Sequence, residues 1–274
     1  MPSNSLVKIG AILTQSRLVL SLIWPFPLVS SAWGILTYIG IFMILFLAIA
    51  LRPKDFPVTR REILIGIFIT LYFCFQNLKV FSFLTQVVYS AFPKTVALGS
   101  TSMPLLAHRG GYASLGMFFT ALLTTWILTK KVANRITFLG SLDYFCFLGS
   151  VGLVFTRVGC FIAGCCYGKP IGPFLRSILP FIPSGETHPT QLYSIAINII
   201  TIVVSRLIYR NRQKFREGTT FFGTMLVYCV LRFIVEGFRG DSVNVLGNIT
   251  LAQLTFLYLS WAMWSRLRKI NKRI

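Results

Sequence analysis

Acidic residues are scarce in this chain of 274 residues: seven Asp and Glu stand against 27 Lys and Arg, for a formal net charge of +20. Charged residues of both signs make up only 12%, about half the share of a soluble domain. With 55% hydrophobic residues, a soluble fold could not cover its own surface, so lipid must be the solvent for much of the chain. Only two histidines occur, His108 and His188, and their spacing to the cysteines matches no standard zinc site, so neither a metal nor another cofactor is expected. No repeat, linker or low-complexity segment breaks the chain, and 1–274 is read as one domain.

The basic excess invites a nucleic-acid reading, but its distribution argues against one. Seventeen of the 27 basic residues fall in four short clusters, Arg52 to Arg61, Lys130 to Arg135, Arg206 to Arg216 and Arg266 to Arg273. Each lies between or after long apolar runs, which is the positive-inside pattern of a membrane protein. Seven apolar stretches, roughly 30–51, 62–82, 110–129, 138–158, 188–208, 219–238 and 247–265, reach the ~20 residues that cross a bilayer core. The expected fold is therefore an all-α polytopic membrane protein of about seven transmembrane helices. Because the clusters follow the first, third, fifth and seventh stretches, the N-terminus is expected outside and the C-terminus in the cytoplasm.

Residues 1–29 carry Lys8, Arg17, Pro25 and Pro27, and are expected to form an interfacial arm in preference to a cleaved signal peptide. Two semi-apolar outer connections, 83–109 and 159–187, are the expected place for function.

Ionisable residues inside spans are costly and are functional candidates by default. Lys79, Asp143, Arg157, Arg232 and Glu236 lie at or within the predicted spans, with Arg109 and Arg239 at their ends. Arg232 and Glu236 stand at i and i+4, spaced for an ion pair that locks the bundle. Arg157, Arg239 and Arg109 fall at the outer boundary, where phospholipid phosphate is the abundant anion and the planar guanidinium fork suits it. Snorkelling anchors are the plainer alternative.

Three segments frame these arginines: "RVGCFIAGCCYGKPIG" (157–172), "HPTQLY" (188–193) and "RFIVEGFRGD" (232–241). In that order and spacing they resemble the signature blocks of the prolipoprotein diacylglyceryl transferase family. A weaker match is "RGGYASLG" (109–116), where the family has a His-Gly-Gly segment. The resemblance implies an enzyme of the bacterial inner (cytoplasmic) membrane with its active site towards the periplasm. Such an enzyme moves the diacylglyceryl group of phosphatidylglycerol to the thiol of a prolipoprotein lipobox cysteine and releases glycerol 1-phosphate.

Carried over, Arg157 and Arg239 are the catalytic arginines, with His108 as a third catalytic candidate. Arg109, Gly110, Gly111, Asp143, Cys160, Gly168, His188, Gln191, Tyr193, Arg232 and Glu236 are candidate substrate-binding residues. The expected partners are phosphatidylglycerol, the lipobox peptide and membrane lipids, with no nucleic acid.

Three positions depart from the family pattern: Cys160 stands for an Asn, Arg109 for a His with His108 adjacent, and Ser194 for a Glu. The rival readings are a non-catalytic phospholipid-binding or transport protein on the same fold, and a thiol-redox protein. Cys160, Cys165 and Cys166 are open to three readings, as packing residues, a disulfide or a reactive thiol.

Overall fold

The computed structural model describes residues 32–54, 56–91, 109–131, 135–172, 187–240, 244–246 and 249–271. The expected arm at 1–29, His108, the segment 173–186 and Asp241 lie outside these residues, as do the side chains of Lys79, Arg109, Gly110 and Gly111. Among the described residues seven helices follow one another: α1 Ala32–Ala50, α2 Arg60–Ala91, α3 Arg109–Lys131, α4 Phe138–Ile162, α5 Thr190–Arg210, α6 Thr219–Gly237 and α7 Leu251–Asn271. Each overlaps one predicted apolar stretch. Helices α4, α5 and α6 are long and apolar enough to cross a membrane.

Local chemistry sets several helix starts. Thr59 and Glu62 form a reciprocal capping box at α2: the Thr59 amide donates to Glu62 Oε2 (2.8 Å) and the Glu62 amide to Thr59 Oγ1 (3.3 Å). Thr250 and Gln253 repeat it at α7, with bonds of 3.0 and 3.1 Å. That cap starts the last helix at Leu251 and not at 247, as the apolar pattern had suggested. The residues before it form a short antiparallel ladder, β1 Asn244–Leu246 with β2 Ile249–Thr250, which the sequence reading did not anticipate. The intervening Gly247-Asn248 pair is a hairpin signal in the sequence.

Helix α2 runs 32 residues, through 83–91, where a connection was expected. No Gly or Pro occurs in it after Gly66, and the first breaker beyond it is Pro93. The semi-apolar residues Phe83 to Tyr89 therefore extend the helix.

Helix α4 packs between α1 and α5; α5 also meets α6, α6 pairs with α7, and α2 pairs with α3. Small residues permit close approach. A Cβ at Gly40 would lie 3.1 Å from Phe155 Cβ, and one at Gly152 2.9 Å from Ile44 Cδ1. Helix α5 is turned inside out relative to a helix in water: Thr190, Gln191, Ser194, Asn198, Thr201 and Ser205 are buried, whereas Ile199, Ile200, Val203 and Leu207 are exposed. Three of the inward groups bond back along their own helix: Ser194 Oγ to Thr190 O, Asn198 Nδ2 to Ser194 O and Thr201 Oγ1 to Ile197 O, each at 2.7 Å. Side-chain donors satisfied in this way can be buried without water. An all-α bundle with its apolar side chains outward is a membrane protein.

The basic connections gather at one end of the bundle. A cavity of about 440 Å³ there is lined by Phe56, Arg135, Arg212 and Arg216 among others, and Gly218 lies against Ile270 of α7. Beside it, an apolar cluster of Ala48, Phe56, Ile63, Tyr144, Phe147 and Tyr209 ties α1, α2, α4 and α5 together. The buried Tyr144 hydroxyl donates to Ala48 O. Asp143 also lies at this end. Its carboxylate accepts the amides of Gly218 (2.6 Å) and Phe221 (2.7 Å) and so closes the N-terminus of α6.

Candidate functional site

At the opposite end three backbone segments are laced together. The Gly168 amide donates to His188 O (3.0 Å), the His188 amide to Lys169 O (2.9 Å), the Lys169 amide to Phe238 O (2.8 Å) and the Gly240 amide to Tyr167 O (3.2 Å). Gly168 bridges antiparallel to Arg239, and Pro170 to Thr187. The end of α4, the start of α5 and the end of α6 are thereby fixed in register. Gly168 is required by closeness: a Cβ there would stand 2.4 Å from both His188 Cβ and His188 O.

Side chains of α5 hold the loop after α4. Thr190 Oγ1 donates to Cys166 O at 2.5 Å, and Gln191 Nε2 to Cys165 O at 2.6 Å. Thr190 was not singled out from the sequence, although its place at the first turn of α5 after His-Pro is a signal of such a role. Gln191 is expected from the sequence to bind substrate; in the structure its amide nitrogen is occupied in positioning this loop.

The charged groups converge here. The i, i+4 ion pair forms, with Arg232 Nη2 3.0 Å from Glu236 Oε2, and Arg239 Nη1 lies 3.6 Å from the same oxygen. Arg232 Nη1 also donates to Ser194 Oγ at 3.3 Å. All three side chains of this group are buried. Arg157, on the last turns of α4, is half-buried. Its charge and that of Arg239 both act on Arg232, and the charge of Arg157 also reaches Cys160 and Cys165. Among the described residues Arg157 makes no ion pair, and Glu236 is the one carboxylate in the group.

His188 is buried with its ring against Phe238, centroids 5.0 Å apart, and its Nδ1 3.3 Å from the Tyr193 hydroxyl. Burial holds its imidazole below the ordinary value. The Sγ atoms of Cys160, Cys165 and Cys166 lie within 4.8 Å of one another. Burial and the neighbouring Cys166 push the Cys165 thiol up, away from the thiolate that an enzyme nucleophile needs.

Of the residues expected at the site, Arg157, Cys160, Gly168, His188, Gln191, Tyr193, Arg232, Glu236 and Arg239 come together at this end. Asp143 does not. It precedes Arg157 on α4 by about 21 Å, at ~1.5 Å per residue, and is bonded to backbone of α6 at the basic end. Sequence position along α4 had put it in the same span as Arg157, but a span has two ends. Arg109 opens α3, with Gly110 and Gly111 in its first turn.

The model of the family described as prolipoprotein diacylglyceryl transferase matches residues 18–265. The chain belongs to this family. It is similar to proteins named phosphatidylglycerol–prolipoprotein diacylglyceryl transferase from several bacteria. Identity to the Clostridium tetani protein is 37% over 109 residues, 38% of this chain and 43% of the relative. For Finegoldia magna it is 32% over 148 residues, covering 53% and 56%. For Halalkalibacterium halodurans it is 31% over 160 residues, covering 55% and 54%. The chain spans about half the length of the curated relatives it matches. Ser194, one of the expected departures, accepts the Arg232 contact through its hydroxyl. Cys160, another of them, joins the thiol cluster.

Proposed function

We propose that this chain transfers the diacylglyceryl group of phosphatidylglycerol to the lipobox cysteine of a prolipoprotein. The reaction takes place at the outer face of the bacterial cytoplasmic membrane. Seven spans place the N-terminus outside and the four basic clusters, with the C-terminus, inside. The observation that carries this reading is the lacing of Gly168, His188 and Arg239, which holds Arg239 and Arg232 at the same end of the bundle as Arg157.

Arg157 and Arg239 grip the phosphate of the lipid, each guanidinium offering paired donors. The acceptor's sulfur attacks the glyceryl carbon next to the phosphate. The S–C bond forms as the C–O bond breaks, the thiol proton leaves to a base or to the departing phosphate, and glycerol 1-phosphate is released. Bonds to the phosphate strengthen as its charge develops, so they lower the barrier more than they tighten ground-state binding. Glu236 stays between Arg232 and Arg239 and keeps Arg239 aligned, and His188 and Gly168 hold the wall behind it.

The test is transfer itself. Expression in a strain depleted of its own transferase should restore growth and lipoprotein modification, and the purified chain should modify a lipobox peptide from phosphatidylglycerol vesicles. Arg157→Lys and Arg239→Lys keep the charge but lose the fork. Both should insert normally and fall about 100-fold or more in transfer. Near-normal rates in both variants would return the arginines to an anchoring role. The departures at Cys160 and Arg109 favour one alternative, a phospholipid-binding protein without chemistry. Vesicle binding by the wild-type chain with no transfer to any lipobox peptide would support it.

A further inference from the structure

The three thiols at the end of α4 have a geometry that the lipid reaction does not use. Cys160 is buried in the last turn of α4, Cys166 is half-buried and Cys165 is exposed, so the cluster is anchored on one side and open on the other. Their Sγ atoms lie within 4.8 Å of one another. A tetrahedral ion with metal–sulfur bonds of about 2.3 Å holds its sulfurs about 3.8 Å apart, so side-chain rotation over ~1 Å suffices to close the set.

The backbone is shaped to face the thiols together. Gly164 (φ 66°) and Cys166 (φ 60°) are both left-handed, and the turn is closed by the Cys165 amide donating to Cys160 O at 3.1 Å. For a residue with a Cβ that conformation costs ~1 kcal/mol or more and persists only where the surroundings impose it. Here they do. Thr190 and Gln191 pin the carbonyls of Cys166 and Cys165 from α5, the kind of outer support that keeps metal ligands oriented. The adjacent charge of Arg157 offsets the negative charge of assembled thiolates.

We propose that Cys160, Cys165 and Cys166 form a three-thiolate site for a thiophilic cation, with Zn²⁺ as its representative. An all-sulfur donor set selects such ions over Mg²⁺ or Ca²⁺. Three protein ligands leave the fourth position of a tetrahedral ion to an exogenous donor, a water or a thiol. The linear spacing, Cys-x4-Cys-Cys, matches no standard zinc pattern, which is why the sequence argued against a metal; convergence of the loop makes the set.

The test uses the full chain, purified in detergent under reducing conditions, stripped with chelator, incubated with ZnCl₂ and freed of unbound ion. Elemental analysis should find about one zinc per chain, with proton release on binding. Zinc should protect Cys160, Cys165 and Cys166, and not Cys74 or Cys229, from alkylation mapped by mass spectrometry. Cys165→Ser, a change at an exposed position, should lower zinc affinity at least tenfold with the protein still monodisperse, while Cys229→Ser should leave it unchanged. Three outcomes would overturn the site: no retained zinc in the reduced wild type, equal retention in Cys165→Ser, or a disulfide among the three cysteines in protein taken directly from cells. None of these measurements depends on lipid transfer, so the metal site and the transferase reading can fail separately.

Discussion

Replacing Gly168 with alanine tests whether the lacing at the end opposite the basic connections sets the activity. The added Cβ would sit 2.4 Å from His188 Cβ and 2.4 Å from His188 O, and 2.9 Å from His188 Cα. Ordinary contacts of this kind are about 3.4–4 Å, and two of the three atoms belong to backbone that cannot rotate away. The segments must part by about 1 Å. That movement weakens the bonds from Gly168 to His188 and from His188 to Lys169, each worth about 1 kcal/mol net. Overpacking adds about 1–3 kcal/mol.

The loss falls on a loop at one end and not on the apolar cluster at the other, so the bundle should survive with a modest drop in its unfolding midpoint. Arg239 is bridged to Gly168, however, and a misplacement of about 1 Å at a reacting group costs on the order of 100-fold in rate. The assay is initial-rate transfer to a lipobox peptide, paired with size-exclusion and thermal unfolding in the same detergent. Gly172→Ala is the control, because a Cβ at Gly172 meets nothing within 4 Å among the described residues; it should keep wild-type rates. Full activity in Gly168→Ala would refute the reasoning, since the laced segments would then be unable to set the position of Arg239.

Asp143→Ala should behave in the opposite sense. It orphans the amides of Gly218 and Phe221 and should cost about 1–2 kcal/mol of stability, while the transfer rate of the folded fraction stays within a factor of two or so; a selective loss of rate would put Asp143 back into the site. His188 makes stability pH-dependent. Its folded pKa lies below the unfolded value of about 6.5, so the fold favours the neutral ring, stability is complete above that value, and it declines as pH falls through it. Unfolding midpoints between about pH 8 and pH 5 should drop more steeply for wild type than for His188→Gln, and parallel curves would refute the assignment. The proposed orientation places position 212 inside. A single cysteine there, in a chain lacking its native cysteines, should react with a membrane-impermeant reagent only after cells are opened, and labelling of intact cells would invert the topology.

Among the described residues the order of the helices was legible in the sequence, because a lipid-facing helix is a nearly continuous apolar run and charge clusters mark its ends. Several boundaries were not. Helix α2 continued to Ala91 for want of an early breaker, and α7 began at Leu251 because of a cap that hydropathy does not register. The signature blocks also named most of the residues that meet around Arg239.

What sequence could not supply was depth and partnership. Asp143 and Arg157 share one helix and one apolar run, yet one caps α6 at the basic end and the other joins the arginine group. Only the packing of α6 against α4 separates those roles. Gln191, Thr190 and the three cysteines likewise acquired their relations from a turn with two left-handed residues, where contacts are made between elements far apart in the chain. Composition and periodicity decide which surface faces lipid, since that is a property of each helix alone. Which polar groups meet at its end is a property of neighbours, and the tertiary structure decided it.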